Sequence, residues 1–221
     1  MPRPFPVFAL IAAAVLSGCA ATETLSTKGY MGDLPPMRWD HRPEAEEWTA
    51  SVLAALQSHG AVLETLEPVD IDTFCPAYAD AGPEQRRAFW AGLFSALAKH
   101  ESTWRPDAAG GGGQWLGLLQ IAPGTARAYD CRAQSSAALF DGSANLSCGV
   151  RIAAAQVARD NEIVGGPGAW RGVARDWAPF RSAEKVADMA SWTRAQPYCA
   201  KPEAKGVLAR LDRLTGPATD G

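Results

Sequence analysis

The spacing of apolar residues along this chain follows the period of an α-helix. Residues three and four positions apart share one helix face, and a helix spacing of this kind predicts amphipathic helices. No run of four or more alternating residues predicts a strand, and the segment "QWLGLLQI" is compatible with strand, helix start or loop. The pattern therefore predicts a mainly α fold. The predicted helical segments are 43–60, 82–102, 145–161, 182–196 and 205–214.

The N-terminal apolar run "VFALIAAAVL" predicts a processing segment. It has the length of a signal-peptide core and is too short to span a bilayer comfortably. It ends in "LSGC", which resembles the lipobox of bacterial lipoproteins. That resemblance implies a signal peptide over 1–18, lipidation of Cys19 and anchoring of the protein to a membrane. Because Ala20 follows the cysteine, we expect the periplasmic side of the outer membrane. The alternative is an ordinary secretory signal with an incidental cysteine.

The rest of the chain is predicted to hold one domain. Residues 19–43 are polar, contain Gly and Pro and show no periodicity, so they predict a flexible tether. Residues 44–214 predict a single domain, and 215–221 predict a disordered tail. The net charge of −3 provides no basic field, which argues against nucleic acid as a partner.

Cysteine and histidine usage favours disulfides over a metal site. The chain has 5 cysteines, including Cys19, and its 3 histidines lie far apart. We expect no metal and no organic cofactor, since CxxC and phosphate-binding glycine patterns are absent from the sequence. The remaining cysteines of an exported chain can pair in three ways. We prefer Cys131–Cys148, which closes a short loop, and Cys75–Cys199, which would join the two ends of the domain.

One carboxylate interrupts an otherwise apolar helix face. Trp90, Phe94 and Leu97 recur at helical spacing, and the same face continues to Glu101. Burial disfavours the charged form of a carboxyl group and raises its pKa. A carboxylic acid that keeps its proton near neutral pH can serve as a general acid at a glycosidic bond. The alternative is that Glu101 only ends the helix, exposed or paired with Arg105.

Three motifs follow one another along the chain. The first is "ESTW", the second is "GLLQI" followed by "APGTA", and the third runs from Asn145 to Gly149. Together they resemble the soluble lytic murein transglycosylases, relatives of goose-type lysozyme, over residues 84–160. The resemblance implies a mostly helical, lysozyme-like domain with a cleft for the glycan strands of peptidoglycan. Glu101 matches the family's single catalytic acid.

The resemblance also implies a mechanism and a set of site residues. Glu101 would protonate the oxygen between N-acetylmuramic acid and N-acetylglucosamine and would then take the proton of the muramic C6 hydroxyl, which closes a 1,6-anhydro ring. Because the substrate supplies the nucleophile, the second carboxylate of ordinary glycosidases is not required. The predicted substrate contacts are Ser102, Trp104, Gly117, Gln120 and Trp177.

Plainer roles remain open for several of these residues. Ser102 could cap the backbone, Gln120 could pair with the backbone, and Gly117 could allow a close approach of a neighbouring chain. Asn145 is interpreted as the N-cap of the third long helix.

The chain also departs from the family pattern. "GGGG" stands where the family often has a serine that contacts the sugar, and the Ala-Tyr-Asn segment is missing, with Trp177 near the expected tyrosine. Two other functions therefore stay open. They are a muramidase that uses water, and a peptidoglycan-binding lipoprotein without activity.

Overall fold

The structure of the protein is a computed structural model that describes residues 34–166 and 168–201. The predicted signal peptide, Cys19, most of the predicted tether and the predicted helix and tail after residue 201 lie outside the described residues. Among the residues that the structure describes, no helix is both long and apolar enough to cross a membrane.

Helices form most of the described chain, and a single short hairpin is its only sheet, as the mainly α prediction requires. The hairpin is antiparallel and pairs Ala109 with Leu116 and Gly110 with Trp115. In chain order the elements are α1 (Ala45–Leu56), α2 (Val62–Thr65), α3 (Ile71–Phe74), α4 (Pro83–Ser102), β1 (Ala109–Gly110), β2 (Trp115–Leu116), α5 (Pro123–Ala128), α6 (Ser136–Leu139), α7 (Gly142–Asp160) and α8 (Ala183–Arg194), with 3-10 turns at Tyr78–Asp80, Gly172–Arg175 and Ala178–Arg181.

Helix α4 runs through the centre of the molecule. It begins at Pro83, whose fixed φ suits the first helical position, and the Gln85 side chain accepts a hydrogen bond from the N–H of Gly82 at 2.8 Å. Every residue from 88 to 98 is buried. A helix that is buried on all sides belongs to the core. Helices α1, α2 and α8 pack around α4, and its C-terminal end is held within this core.

Helix α7 begins three residues earlier than the sequence interpretation placed it. The N-cap is Asp141, whose carboxylate accepts a hydrogen bond from the N–H of Ala144 at 2.8 Å. The N-cap prediction for Asn145 is therefore wrong. Asn145 lies inside the first turn, where its side chain is fully buried and points to a loop distant in sequence. The helix packs on α1 and on the Gly172–Arg175 turn.

The tether prediction fails at its C-terminal end, because residues 34–43 belong to the folded domain. Trp39 is fully buried, its indole N–H donates to the hydroxyl of Thr49 at 2.9 Å, and its ring meets the edge of Trp48. The N–H of Arg38 donates to the Ser95 hydroxyl on α4 at 2.9 Å. Two buried side chains, Met37 and Trp39, anchor this segment without any helical periodicity, which explains why the pattern did not show it.

Two disulfides close the domain. Cys75 pairs with Cys199 and thereby joins the residue after α3 to the segment after α8, while Cys131 pairs with Cys148 and joins the α5–α6 loop to α7. These are the pairings preferred from the sequence. By the loop-entropy relation, the lost conformational entropy raises the free energy of the unfolded chain by about 3 kcal/mol for the shorter loop and by about 5 kcal/mol for the longer one.

Candidate active site

The Glu101 side chain is a half-buried carboxyl at the C-terminal end of α4. It lies in the last turn of α4, and it has neither a hydrogen bond nor a salt bridge among the residues that the structure describes. Burial raises the pKa of Glu101 from 4.5 to about 7, although the positive charges of Lys185 and Arg181 oppose this rise. Arg105 instead faces Asp107, and both side chains are exposed. The carboxyl group of Glu101 is therefore partly protonated at neutral pH.

The helix ends immediately after Glu101 in a strained turn. Thr103 and Trp104 both have left-handed backbone conformations, with φ of 53° and 55°. Each such residue costs roughly 1–2 kcal/mol, and a β-branched threonine is rare there. The Trp104 backbone N–H donates to the carbonyl of Ala98 at 3.2 Å, and its indole N–H donates to the carbonyl of Ser95 at 2.8 Å. This turn holds the half-buried Trp104 ring against α4.

Ser102 ties the end of α4 to the loop of residues 116–121, which carries the "GLLQI" motif. Its buried hydroxyl donates to the Leu118 carbonyl at 2.9 Å and accepts from the N–H of Arg105 at 3.2 Å. Of the two roles left open by the sequence, the geometry provides the backbone role. Ser102 therefore sets the position of the loop relative to its neighbour Glu101.

Asn145 clamps the other side of the 116–121 loop. Its side-chain amide donates to the carbonyls of Leu116 and Leu139, each at 2.9 Å, and its side-chain oxygen accepts from the N–H of Leu119 at 2.9 Å. All three bonds are buried. Sequence reasoning missed this role, although the position of the asparagine in the third motif was a signal that it acts together with the loop.

Gly117 is required by the close packing of this clamp. Its φ is +75°, and a Cβ atom at this position would collide with the Leu139 carbonyl and the Asn145 amide. A side chain would therefore be strained by the backbone and would also displace the clamp. Gly117 therefore allows a close approach to another segment of the same protein, which is one of the two possibilities that the sequence left open.

Gln120 fixes the end of the loop to the hairpin. Its side-chain N–H groups donate to the carbonyls of Ala108 at 3.1 Å and Gly117 at 2.9 Å. Its backbone is left-handed, with φ of 49°. The amide is half-buried, and its donors pair with backbone, as the plainer interpretation of this residue expected.

Trp177 does not line an open surface, and the prediction of a cleft residue is wrong for this position. The side chain is 3% exposed, its indole N–H donates to the Leu119 carbonyl at 2.9 Å, and its ring meets the edge of Phe94. A ring enclosed in this way has no free face for a sugar. Trp177 instead supports the 116–121 loop from the core, and its only donor is committed to Leu119.

Three basic side chains near the end of α4 share one carboxylate. Asp188 on α8 accepts hydrogen bonds from Arg38 at 2.6 Å, His100 at 2.7 Å and Lys99 at 3.1 Å. Hydrogen bonds to these groups, Arg38 first, hold the pKa of Asp188 well below its usual range. This network satisfies the two basic residues that precede Glu101. The sequence did not reveal it, because its members are far apart along the chain.

The described residues contain no group of three His, Cys, Asp or Glu side chains arranged to hold a metal ion.

Similarity to known proteins identifies the family of the chain. The model of the transglycosylase SLT domain matches residues 81–165. Among curated proteins, no sequence matches the chain significantly. Similar solved structures include the wild-type form 2 of Bd0314 DslA and two of its glutamate-to-glutamine mutants, at 30–32% identity and a TM-score of 0.68. Each covers 76% of this chain and is itself covered over 98–100% of its length. The chain therefore belongs to the transglycosylase SLT domain family.

Proposed function

We propose that the protein is a lytic transglycosylase that cleaves the β-1,4 bond between N-acetylmuramic acid and N-acetylglucosamine in peptidoglycan, with Glu101 as its catalytic residue. The observation that carries the proposal is the half-buried Glu101 carboxyl, which lacks a partner among the described residues and has its pKa raised to about 7. Family membership supports the substrate class, and the raised pKa supports the role of the residue.

The proposed reaction uses one carboxyl group in both of its steps. Glu101 first donates its proton to the glycosidic oxygen, the bond from that oxygen to C1 of the muramic sugar breaks, and C1 becomes electron-poor. The C6 hydroxyl oxygen of the same sugar then bonds to C1, and its proton returns to the Glu101 carboxylate. The products are a shortened strand and a 1,6-anhydro end, and the enzyme recovers its starting state.

A pKa near the working pH suits a group that must both donate and accept a proton. At pH 7 the acid form needed for the first step is well populated, and the carboxylate that this step generates is a stronger base than an ordinary glutamate. The two acids that follow Glu101 most closely in the sequence, Asp107 and Asp130, are less suitable, since both are exposed to solvent. Because the C6 hydroxyl of the substrate supplies the nucleophile, the proposed reaction needs no second carboxylate.

The reaction products test the proposal directly. Purified sacculi are digested with the wild-type protein, with Glu101→Gln and with Glu101→Asp, and the soluble muropeptides are analysed by mass spectrometry. We expect anhydro-muropeptides from the wild type and none from Glu101→Gln, which keeps the size of the side chain but cannot donate a carboxyl proton. The shorter aspartate should release little.

Two results would favour the other functions. Products that are heavier by one water molecule would identify a hydrolysing muramidase. Binding to sacculi without any soluble product, in the wild type as well as in the variants, would identify a binding protein.

The cellular location is also part of the proposal. We propose that residues 1–18 are removed as a signal peptide and that acyl chains on Cys19 hold the protein on the periplasmic face of the outer membrane. The lipobox-like "LSGC" supports this proposal, and buried acyl chains contribute about 0.8 kcal/mol per CH2 group to membrane affinity. Labelling with a fatty-acid analogue should mark the full-length protein and should not mark Cys19→Ser. Equal labelling of both would contradict lipidation at this residue.

A further inference from the structure

Two positively charged side chains close to Glu101 have no carboxylate partner among the residues described. Arg181 ends the Ala178–Arg181 turn, and Lys185 lies in the first turn of α8. Neither forms a salt bridge within 34–166 and 168–201, whereas Arg38, Lys99 and His100 share Asp188. Two cationic side chains without carboxylate partners are unexpected beside the proposed catalytic carboxyl if the site binds only neutral sugars.

The packing of α8 explains why Lys185 lies near the site. Lys185 and Asp188 are three residues apart and therefore share one face of this helix. Asp188 is 2.7 Å from the imidazole of His100, which precedes Glu101 directly. The face that carries Lys185 is thus turned to the last turn of α4. Burial is the largest cause of the shifted pKa values of Glu101 and His100, and the charge of Lys185 makes a smaller, lowering contribution to both, which agrees with this placement.

Arg181 is held in a fixed position with donors to spare. Its guanidinium carbon lies 4.0 Å from the centroid of the Trp170 ring, and one of its N–H groups donates to the carbonyl of Ala174. Stacking of this kind orders the planar guanidinium group. An arginine has five N–H donors, so several remain for a ligand. The supporting Trp170 ring is itself 61% exposed, which places a large apolar surface next to these donors.

The ligand that matches this arrangement is a carboxylate on a sugar. Arginine binds carboxylates through two parallel hydrogen bonds, and lysine adds a point charge. In peptidoglycan each muramic acid carries a lactyl ether, which ends either in a free carboxylate or in a peptide stem that has carboxylates of its own. The free lactyl carboxylate lies within a few bonds of the glycosidic linkage on which Glu101 would act. In a strand with stems the lactyl group is an amide, and the nearest negative charge belongs to the carboxylates of the peptide, which lie further from that linkage.

We infer that Arg181 and Lys185 form an anion subsite that binds a carboxylate of the muramic acid residue at the cleavage point. The inference rests on the proposed function for its substrate. It extends that function by assigning the recognition of muramic acid, as opposed to N-acetylglucosamine, to two residues outside the three sequence motifs. The Trp170–Arg181 stack positions the guanidinium for this contact.

Binding to an inactive protein tests the subsite separately from catalysis. We compare Glu101→Gln with the triple variant that adds Arg181→Gln and Lys185→Gln, using calorimetric titration with soluble glycan strands. One preparation keeps the peptide stems and a second has been stripped of them by an amidase. A chito-oligosaccharide without carboxylates serves as the third ligand. The matched control adds Arg171→Gln, which removes an exposed arginine that is paired with Glu162 outside the site.

We expect the triple variant to bind carboxylate-bearing strands about tenfold or more weakly, in line with the loss of charge-assisted hydrogen bonds. Binding of the chito-oligosaccharide should stay unchanged, the Arg171→Gln control should match its parent, and Arg181→Lys should retain part of the affinity. Weakening confined to stripped strands identifies the lactyl carboxylate as the ligand, and weakening confined to strands with stems identifies the peptide carboxylates. Equal affinity of the triple variant and its parent for both strand preparations overturns the subsite.

The two proposals can fail independently. If the wild type releases no product from sacculi, the transglycosylase function fails, while the titrations still decide whether Arg181 and Lys185 bind carboxylates. If anhydro products form and the titrations show no difference, the function stands and the subsite is wrong.

Discussion

Two polar side chains next to the 116–121 loop have opposite surroundings. Asn145 is fully buried, and both of its side-chain polar atoms make hydrogen bonds to the backbone. Glu101 is half-buried, and its carboxyl has no hydrogen-bond partner among the described residues. Folding provides hydrogen-bond partners for the amide of Asn145, whereas the carboxyl of Glu101 has none among the described residues.

This difference distinguishes the residues that stabilise the fold from the residue that we propose to act in the reaction. A buried polar group that is fully hydrogen-bonded stabilises a unique arrangement, while an unpartnered one costs free energy. Around the 116–121 loop, Ser102, Asn145 and Trp177 all use their donors on the backbone. The free energy that Glu101 costs the fold is what keeps its proton available near neutral pH.

The largest expected effect on stability belongs to Asn145. In Asn145→Leu the Leu119 N–H and two carbonyls lose their partner inside the core. Each unsatisfied buried group costs about 1–3 kcal/mol, so we expect a loss of roughly 3–5 kcal/mol in the free energy of unfolding. Urea denaturation with the disulfides intact measures it. Ser143→Ala serves as the control, because the hydroxyl of this half-buried residue at the start of the same helix makes one hydrogen bond, to the side chain of Glu47. A loss no larger than that of the control would contradict the role of Asn145.

Glu101→Gln should change stability in the opposite direction and in a pH-dependent way. Below the unfolded pKa of 4.5 the carboxyl is protonated in both states, and the substitution has little effect. As the pH rises to about 7, the unfolded chain releases the proton while the folded chain retains it. The wild type therefore loses stability across this interval, by roughly 3 kcal/mol in total.

Because glutamine cannot ionise, we expect Glu101→Gln to be more stable than the wild type at pH 8 and nearly equal at pH 4. Thermal unfolding at both values measures the difference. A gain that is the same at both values would show that the effect is not due to the carboxylate charge.

The smallest effect is expected at Trp177. Trp177→Phe keeps most of the buried ring and removes the hydrogen bond to the Leu119 carbonyl, which should cost about 1–3 kcal/mol. Because the predicted sugar contact is replaced here by a core position, we expect the KM for glycan strands to change less than twofold. A large rise in KM with unchanged stability would restore the original interpretation of this residue.

The sequence predicted the features that depend on local spacing. Glu101 could be identified because it continues the apolar face of α4, and the mainly α fold followed from the helical period of the apolar residues. The three motifs located the 116–121 loop. Local spacing could not predict the hydrogen-bond partners of the motif residues. Ser102 and Asn145 bond to backbone atoms that only the folded chain brings close to them.

The features that sequence reasoning missed depend on distant partners. Arg38 and Asp188 are in contact although 150 residues separate them in the sequence, and Trp39 anchors a segment without periodicity. Arg181 and Lys185 approach Glu101 only because the Ala178–Arg181 turn and α8 pack on α4. No motif marks them, so their role depends entirely on the tertiary structure.

The proposed chemistry requires the Glu101 carboxyl to retain its proton to near-neutral pH. Carbon-detected NMR of protein labelled at glutamate side-chain carboxyls measures this directly, and the resonance that disappears in Glu101→Gln assigns the signal. We expect that signal to titrate with a pKa of about 7. A Glu101 signal that titrates near 4.5 would contradict the account.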